Sequence, residues 1–176
     1  DSDITANGSG DVEMLAGADI QMADISEVDA GSGNILLDAA VDVELSRLIT
    51  TGNEVEIVAG NEIIDNGDSG GVDIEAPNAD VFMQATSGIG DFDTGSADDD
   101  AIETEIASLE AYNTGTGDIA IDETDGIDLT EVDADDGGVT VNAGGQINAY
   151  DVSAGNGGQI NLTSTGAGIA AGMLST

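Results

Sequence analysis

Between Gly117 and Asn156 the apolar positions recur every twenty residues: Ile119 with Val139, Ile121 with Val141, Ile127 with Ile147, Leu129 with Ala149, Val132 with Val152 and Ala134 with Ala154. Within one repeat the spacing is two, then a gap, then two again, as in Val139-x-Val141-x-Ala143, Ile147-x-Ala149 and Val152-x-Ala154. A spacing of two marks a strand with one buried face, because successive side chains point to opposite sides. The gaps hold Gly, Asn and Asp, the residues that sharp turns need. Three short strands and three turns in about twenty residues return the chain to its starting azimuth, one strand spacing of about 4.8 Å further on. The pattern predicts an all-β fold, a parallel β-helix.

The same period extends over the chain. Ile4 and Ala6 match the third strand of a repeat, so the first residues enter in mid-coil. One coil runs through Val12, Met14, Ala16, Ile20, Met22, Val28 and Ala30, and a second through Ile35, Leu37, Ala39, Val43, Leu45, Leu48 and Thr50. Two shorter coils are expected next, Val55 to Ile63 and Val72 to Ala85, each missing a strand or tightening a turn. Residues 88–101 break the pattern with five Asp and three Gly among fourteen residues, and read as an acidic loop thrown out of the stack. The period resumes with Ile106, Leu109 and Ala111, aligned with Leu129, Val132 and Ala134, and a last coil carries Ile160, Leu162 and Ile169. The expectation is one solenoid of about eight coils over residues 1–176, a rod of roughly 40 Å. Met14, Met22, Met83 and Met173 are expected to fill irregular places in the core. Pro77 is expected in a turn, and Tyr112 and Tyr150 beside turns.

Composition sharpens this picture. The 176 residues include 37 Asp and Glu against one Lys or Arg, with no His, no Cys and four aromatics, for a net charge of −36. Such charge with few aromatics resembles that of disordered chains, but 40% hydrophobic content in a strict period outweighs it. Without Cys there is neither a disulfide framework nor a thiolate metal site. No apolar run approaches the roughly 20 residues that cross a bilayer. The chain starts at Asp1 without a signal-peptide pattern, and neither terminus reads as a cap for bare strand edges. The rod is therefore expected to continue, in a longer chain or by end-to-end stacking of copies.

Coils of the form Gly-x-hydrophobic-x-hydrophobic-x-Ala, in pieces such as GNEIIDNGDSGGVDIEAPNADVFMQATSGIGD (residues 60–91) and AIETEIASLEAYNTGTGDIAIDETDG (residues 101–126), resemble the repeat regions of very large bacterial surface proteins of the filamentous haemagglutinin kind. The resemblance runs from about Val12 to Ile169. It implies a right-handed parallel β-helix, secretion, an extracellular or bacterial cell-surface location, and a spacer or fibre role in an adhesin. Nothing in the chain matches the amino-terminal secretion domain of such proteins.

Parallel β-helices also include polysaccharide lyases and hydrolases. A lyase needs a base to take a proton, and a hydrolase needs carboxylates facing each other across the scissile bond. Here Arg47 is the single cationic side chain, His, Cys and Lys are missing, and only Phe82, Phe92, Tyr112 and Tyr150 could form a sugar platform. Nucleophile systems built on Ser–His or Cys–His pairs are impossible. The expectation is no enzyme, with Asp122 and Asp125 in a solvated turn.

Cation binding is the stronger chemistry. Outward acids on adjacent coils lie about 4.8 Å apart and repel each other unless a cation intervenes. Candidate stacks are Glu56 over Asp73 and Glu110 over Asp133, with a further turn pair at Asp135 and Asp136. The densest cluster is Asp91, Asp93, Asp98, Asp99 and Asp100 in the loop. Oxygen ligands without nitrogen or sulfur suit Ca²⁺, although neither an EF-hand loop nor the glycine-rich Ca²⁺ nonapeptide occurs. The alternative is a uniformly acidic surface that binds counterions diffusely.

Of the 37 acids only Asp151 lies beyond Asp136. The last coils present Thr140, Asn142, Asn148, Asn161 and Thr163 outward, and such ladders stack without repulsion. Nucleic acid is an unsuitable partner at this charge, as is an anionic membrane surface. The partners expected are adjoining segments or copies of the same rod, and cell-surface or matrix glycans. Two other roles fit the same features: a cation-collecting surface-layer or matrix protein, and a non-catalytic glycan-binding β-helix.

Overall fold

The computed structural model describes residues 3–66, 71–91 and 101–176. Among them there is no helix: parallel strands wind into a β-solenoid of about eight turns, about 21 residues apart. In chain order, β1 (Ile4–Thr5) belongs to an incomplete first coil. The next two coils hold β2 (Val12–Ala16), β3 (Ile20–Gln21) and β4 (Glu27–Asp29), then β5 (Ile35–Ala39), β6 (Val43–Leu45) and β7 (Arg47–Ile49). After them come β8 (Glu54–Ala59), β9 (Glu62–Asp65), β10 (Ile74–Ala85), β11 (Gly88–Ile89), β12 (Ile102–Thr116), β13 (Ile119–Glu123), β14 (Ile127–Asp136), β15 (Val139–Ala143), β16 (Ile147–Ala154), β17 (Ile160–Ser164) and β18 (Ile169–Ser175).

Each strand pairs in parallel with the strand one coil on, and the register confirms the twenty-residue repeat: Ile119 faces Val139, Ile121 faces Val141, Ile127 faces Ile147 and Val132 faces Val152. The solenoid has three faces. The first carries β2, β5, β8 and the second half of β10, the second carries β3, β6, β9, β11, β13, β15 and β17, and the third carries β1, β4, β7 and the start of β10. Inward residues at alternate positions stack into apolar columns such as Ile35, Val55, Val81 and Leu109, all essentially inaccessible to solvent. Among the described residues, Val, Ile, Leu, Ala and two Met fill a narrow lumen without aromatic rings, and burial of each large side chain is worth about 1.5–3 kcal/mol.

The turns stack as the strands do. A Cβ at Gly137 or Gly158 would collide with the carbonyl of the glycine one coil below, Gly117 or Gly137. Only glycine lets the backbone approach that closely.

Several expectations change. In the later coils the last two short strands of each repeat are continuous, so Ile147-x-Ala149 and Val152-x-Ala154 form the single strand β16. Val55 to Ala85 does not form two shortened coils. Ile74 and Ala76 complete the third face of the coil that Val55 opens, and β10 then turns the corner to put Val81 over Val55. Pro77 sits inside β10, at an exposed position in the register break between Ala76 and Asp80, where no ladder hydrogen bond is lost. The excursion begins later than residue 88, because Ile89 fills the inward slot between Ile63 and Ile119. Leu109 pairs with Leu129, not Val132. Tyr112 lies in mid-strand with its ring 5.8 Å from that of Phe82. Met22 and Met83 are core residues and Met14 packs against the core, whereas Met173 is exposed on the last strand together with Ile169 and Leu174.

Candidate cation sites

The outward columns of the first face carry the ladder acids. One runs Glu54, Asp80, Ser108, Asp128, Asn148, the next Leu36, Glu56, Phe82, Glu110, Glu131, and a third Asp38, Val58, Gln84, Tyr112, Asp133, Ser153. Glu56 therefore lies between Leu36 and Phe82 and not over Asp73, because Asp73 precedes a third-face strand. Glu110 faces Glu131, while Asp133 faces Tyr112: the bulge between Leu109 and Glu110 shifts the register.

Four of these acids accept a hydrogen bond from a neighbouring side chain. Ser108 Oγ donates to Asp80 at 2.5 Å, Asn148 Nδ2 to Asp128 at 2.7 Å and Ser153 Oγ to Asp133 at 2.5 Å. Tyr112 donates to Glu110 at 2.8 Å, and burial together with Glu110 and Glu131 pushes its phenol up. The structure leaves Asp135 and Asp136 exposed at the end of β14 and Asp91 exposed after β11. Asp93, Asp98, Asp99 and Asp100 lie outside the described residues. Arg47 clamps the third face, bonding Glu27 on the coil below at 3.2 Å and Glu75 on the coil above.

A different cluster is buried. Asp65, Asp73 and Glu103 each bring a carboxylate oxygen within 4.8 Å of the others. Asp65 is 4% exposed and Asp73 fully buried. Asp65 ends β9 two residues after Ile63, in the inward slot that Leu45 fills one coil below. Asp73 begins the third face, its carbonyl accepting from Leu48 N at 2.6 Å. Glu103 sits above it in β12: its N–H donates to Asp73 Oδ2 at 2.9 Å, and its carbonyl accepts from Asp73 N at 2.9 Å. Asp73 Oδ1 is buried and has no hydrogen-bond partner among the described residues. Burial first, then the charge of Asp65, push the Asp73 carboxyl up to about 9.

This cluster sits where the sequence spacing between coils is longest. Residues 66–72 lie between Asp65 and Asp73 in the sequence, and Glu103 comes soon after residues 92–100. Across these two insertions the first-face spacing grows to 26 residues from Val55 to Val81 and 28 from Val81 to Leu109, against 20 from Leu109 to Leu129.

Glu123 is a second buried acid, in the corner that closes the second face. Its Oε2 accepts from Thr104 Oγ1 at 2.7 Å and Ile106 N at 3.3 Å, and its Oε1 from Asp125 N at 3.1 Å. Burial nevertheless pushes it up to about 7. Asp125 stays exposed, as expected for a solvated turn, whereas Asp122, expected in the same turn, is a half-buried residue of β13.

No protein-family model matches the chain, and neither a curated protein nor a solved structure does. Sequence reasoning named Asp73 with the wrong partner and missed Asp65 and Glu103. The signal for Asp65 is its phase, since an acid two residues after Ile63 falls in a core column.

Proposed function

We propose that this solenoid is a structural segment of an extracellular acidic filament or giant adhesin, acting as a spacer. The supporting observation is the set of mainly apolar inward columns beneath outward ladders of acids, hydroxyls and amides. Such a stack is stiff, highly charged and extendable coil by coil. No His, Cys or Lys is available for proton transfer or nucleophilic attack, which supports a non-catalytic role. Among the described residues, no helix is long and apolar enough to cross a membrane.

The test is the mass and location of the native polypeptide, followed with an antibody to this segment on intact and on lysed source cells. Antibody bound to intact cells, with a polypeptide far above 17.4 kDa under denaturing conditions, is expected for a giant adhesin, and surface binding with one of about that mass for a stacked filament subunit. A polypeptide that the antibody reaches only after lysis would overturn the extracellular reading.

One observation favours a second reading, non-catalytic glycan binding. A cleft of about 740 Å³ on the first face is lined by Phe82, Val81, Asn53, Ser108, Thr130 and the four acids Glu54, Glu56, Asp80 and Glu110. An aromatic ring beside hydroxyl, amide and carboxylate groups is the kind of lining that holds a sugar. Saturable binding to a neutral oligosaccharide that Phe82→Ala abolishes would support it.

A further inference from the structure

We propose that Asp65, Asp73 and Glu103 form one divalent-cation site of the Ca²⁺ class, which ties two neighbouring coils together at the roots of both insertions. The inference concerns a site within the solenoid and holds whatever the rod does and wherever it resides.

Three carboxyl groups converge within 4.8 Å, two of them withdrawn from solvent. Like charges at that range in a protein interior repel strongly, and each buried ion also loses its hydration. The chain has no Lys or His to offset them, and its one arginine is bound to Glu27 and Glu75 on the outer surface. Only protons or a cation from solution can neutralise the cluster.

The geometry fits an ion. Ca²⁺ holds oxygen ligands at about 2.3–2.6 Å, so ligands on opposite sides lie roughly 4.6–5.2 Å apart. With the three oxygens at most 4.8 Å from one another, some point between them lies no more than about 2.8 Å from each, so a small shift of the side chains brings all three onto one ion. The ligand set is oxygen only, which disfavours zinc and other metals that prefer nitrogen and sulfur.

Two further observations point to a missing ligand. Asp73 Oδ1 is fully buried without a hydrogen-bond partner among the described residues. Ser46 Oγ is also buried without one. Ser46 belongs to the same corner one coil below, between Leu45, which pairs with Asp65, and Leu48, whose N–H bonds the Asp73 carbonyl. An unsatisfied buried polar atom costs about 1–3 kcal/mol. The position matters too: Asp65 occupies a core column otherwise filled by Leu45, where an aliphatic residue would pack at no electrostatic cost.

The test uses the full 176-residue chain, stripped with EDTA and studied at pH 7.5 in 0.5 M KCl so that diffuse binding is screened. Equilibrium dialysis with Ca²⁺ counts tight sites, and thermal unfolding reads their linkage to folding. The expected result is one tight site per chain, and a rise in Tm of roughly 5–10 °C at a hundred times the dissociation constant. Asp73→Asn and Glu103→Gln should each weaken that site at least about tenfold, while Glu54→Gln, an exposed ladder acid, leaves it unchanged. Absence of a tight site in the parent overturns the proposal, and that measurement stands even if a variant fails to fold. So does a tight site that survives both substitutions, or a Tm rise of equal size in all variants.

Discussion

Glu123 carries a protonation change within the ordinary pH range. Its carboxyl is raised to about 7 from a reference near 4.5, so between those values the folded chain holds a proton that the unfolded chain releases. Stability from this group is fully present below about 4.5 and is lost as pH rises through 7, a change on the order of 3 kcal/mol. Asp73, raised to about 9, acts with the same sign over a wider window when no cation is bound. In EDTA, urea unfolding should show the protein less stable at pH 8 than at pH 5. Glu123→Gln should flatten that slope while costing about 1–2 kcal/mol at pH 5 through its lost hydrogen bonds. An unchanged slope in the variant would assign the effect to other groups. Alternation alone places Asp65 and Glu123 inward, two residues past Ile63 and Ile121, so their burial is legible in the sequence. Treating residues 122–125 as one solvated turn hides the second. The burial of Asp73 and the approach of Glu103 are not legible, because the twenty-residue offset does not hold across residues 66–72 and 92–100 and so does not give their register.

At the level of strands, the alternation of Val139-x-Val141-x-Ala143 suffices to give β15 and its neighbours, and the twenty-residue offset gives their register. What the offset cannot give is where a bulge absorbs a residue. Leu109 resembles Val132 as closely as Leu129 in polarity, and only the break after Leu109 decides the pairing. Likewise, Ile74-x-Ala76 has the form of a coil opening, yet it pairs with β7 on the third face. Two substitutions probe the ladder. Ile57→Ala, in a column between Leu37 and Met83, should cost about 2–5 kcal/mol in chemical denaturation. Gly137→Ala, on the surface but facing the Gly117 carbonyl, should cost about 1–3 kcal/mol, although it adds only a methyl group. A neutral outcome there would mean that the turn stack can spread without loss.

For the whole molecule, a net charge of −36 on a rod of about 40 Å means strong self-repulsion. Raising KCl from about 0.05 to 0.5 M, with EDTA present, should raise Tm by several degrees as the Debye length contracts from about 14 to 4 Å. A flat response would mean that hydroxyl and amide spacers such as Ser108 and Asn148 already quench the ladders. Arg47→Ala should change stability by no more than about 1 kcal/mol, because its two ion pairs are half exposed.

The pairing of each strand with the coils directly before and after it also governs how the chain can acquire its structure. A coil that has formed is a complete template for the next, and no contact requires a distant part of the sequence to arrive first. Folding can therefore advance as the polypeptide is delivered, from a ribosome or through a narrow pore, at the pace of delivery. The slow steps fall at the two wide coils, where 26 and 28 residues must be gathered before the next rung is laid.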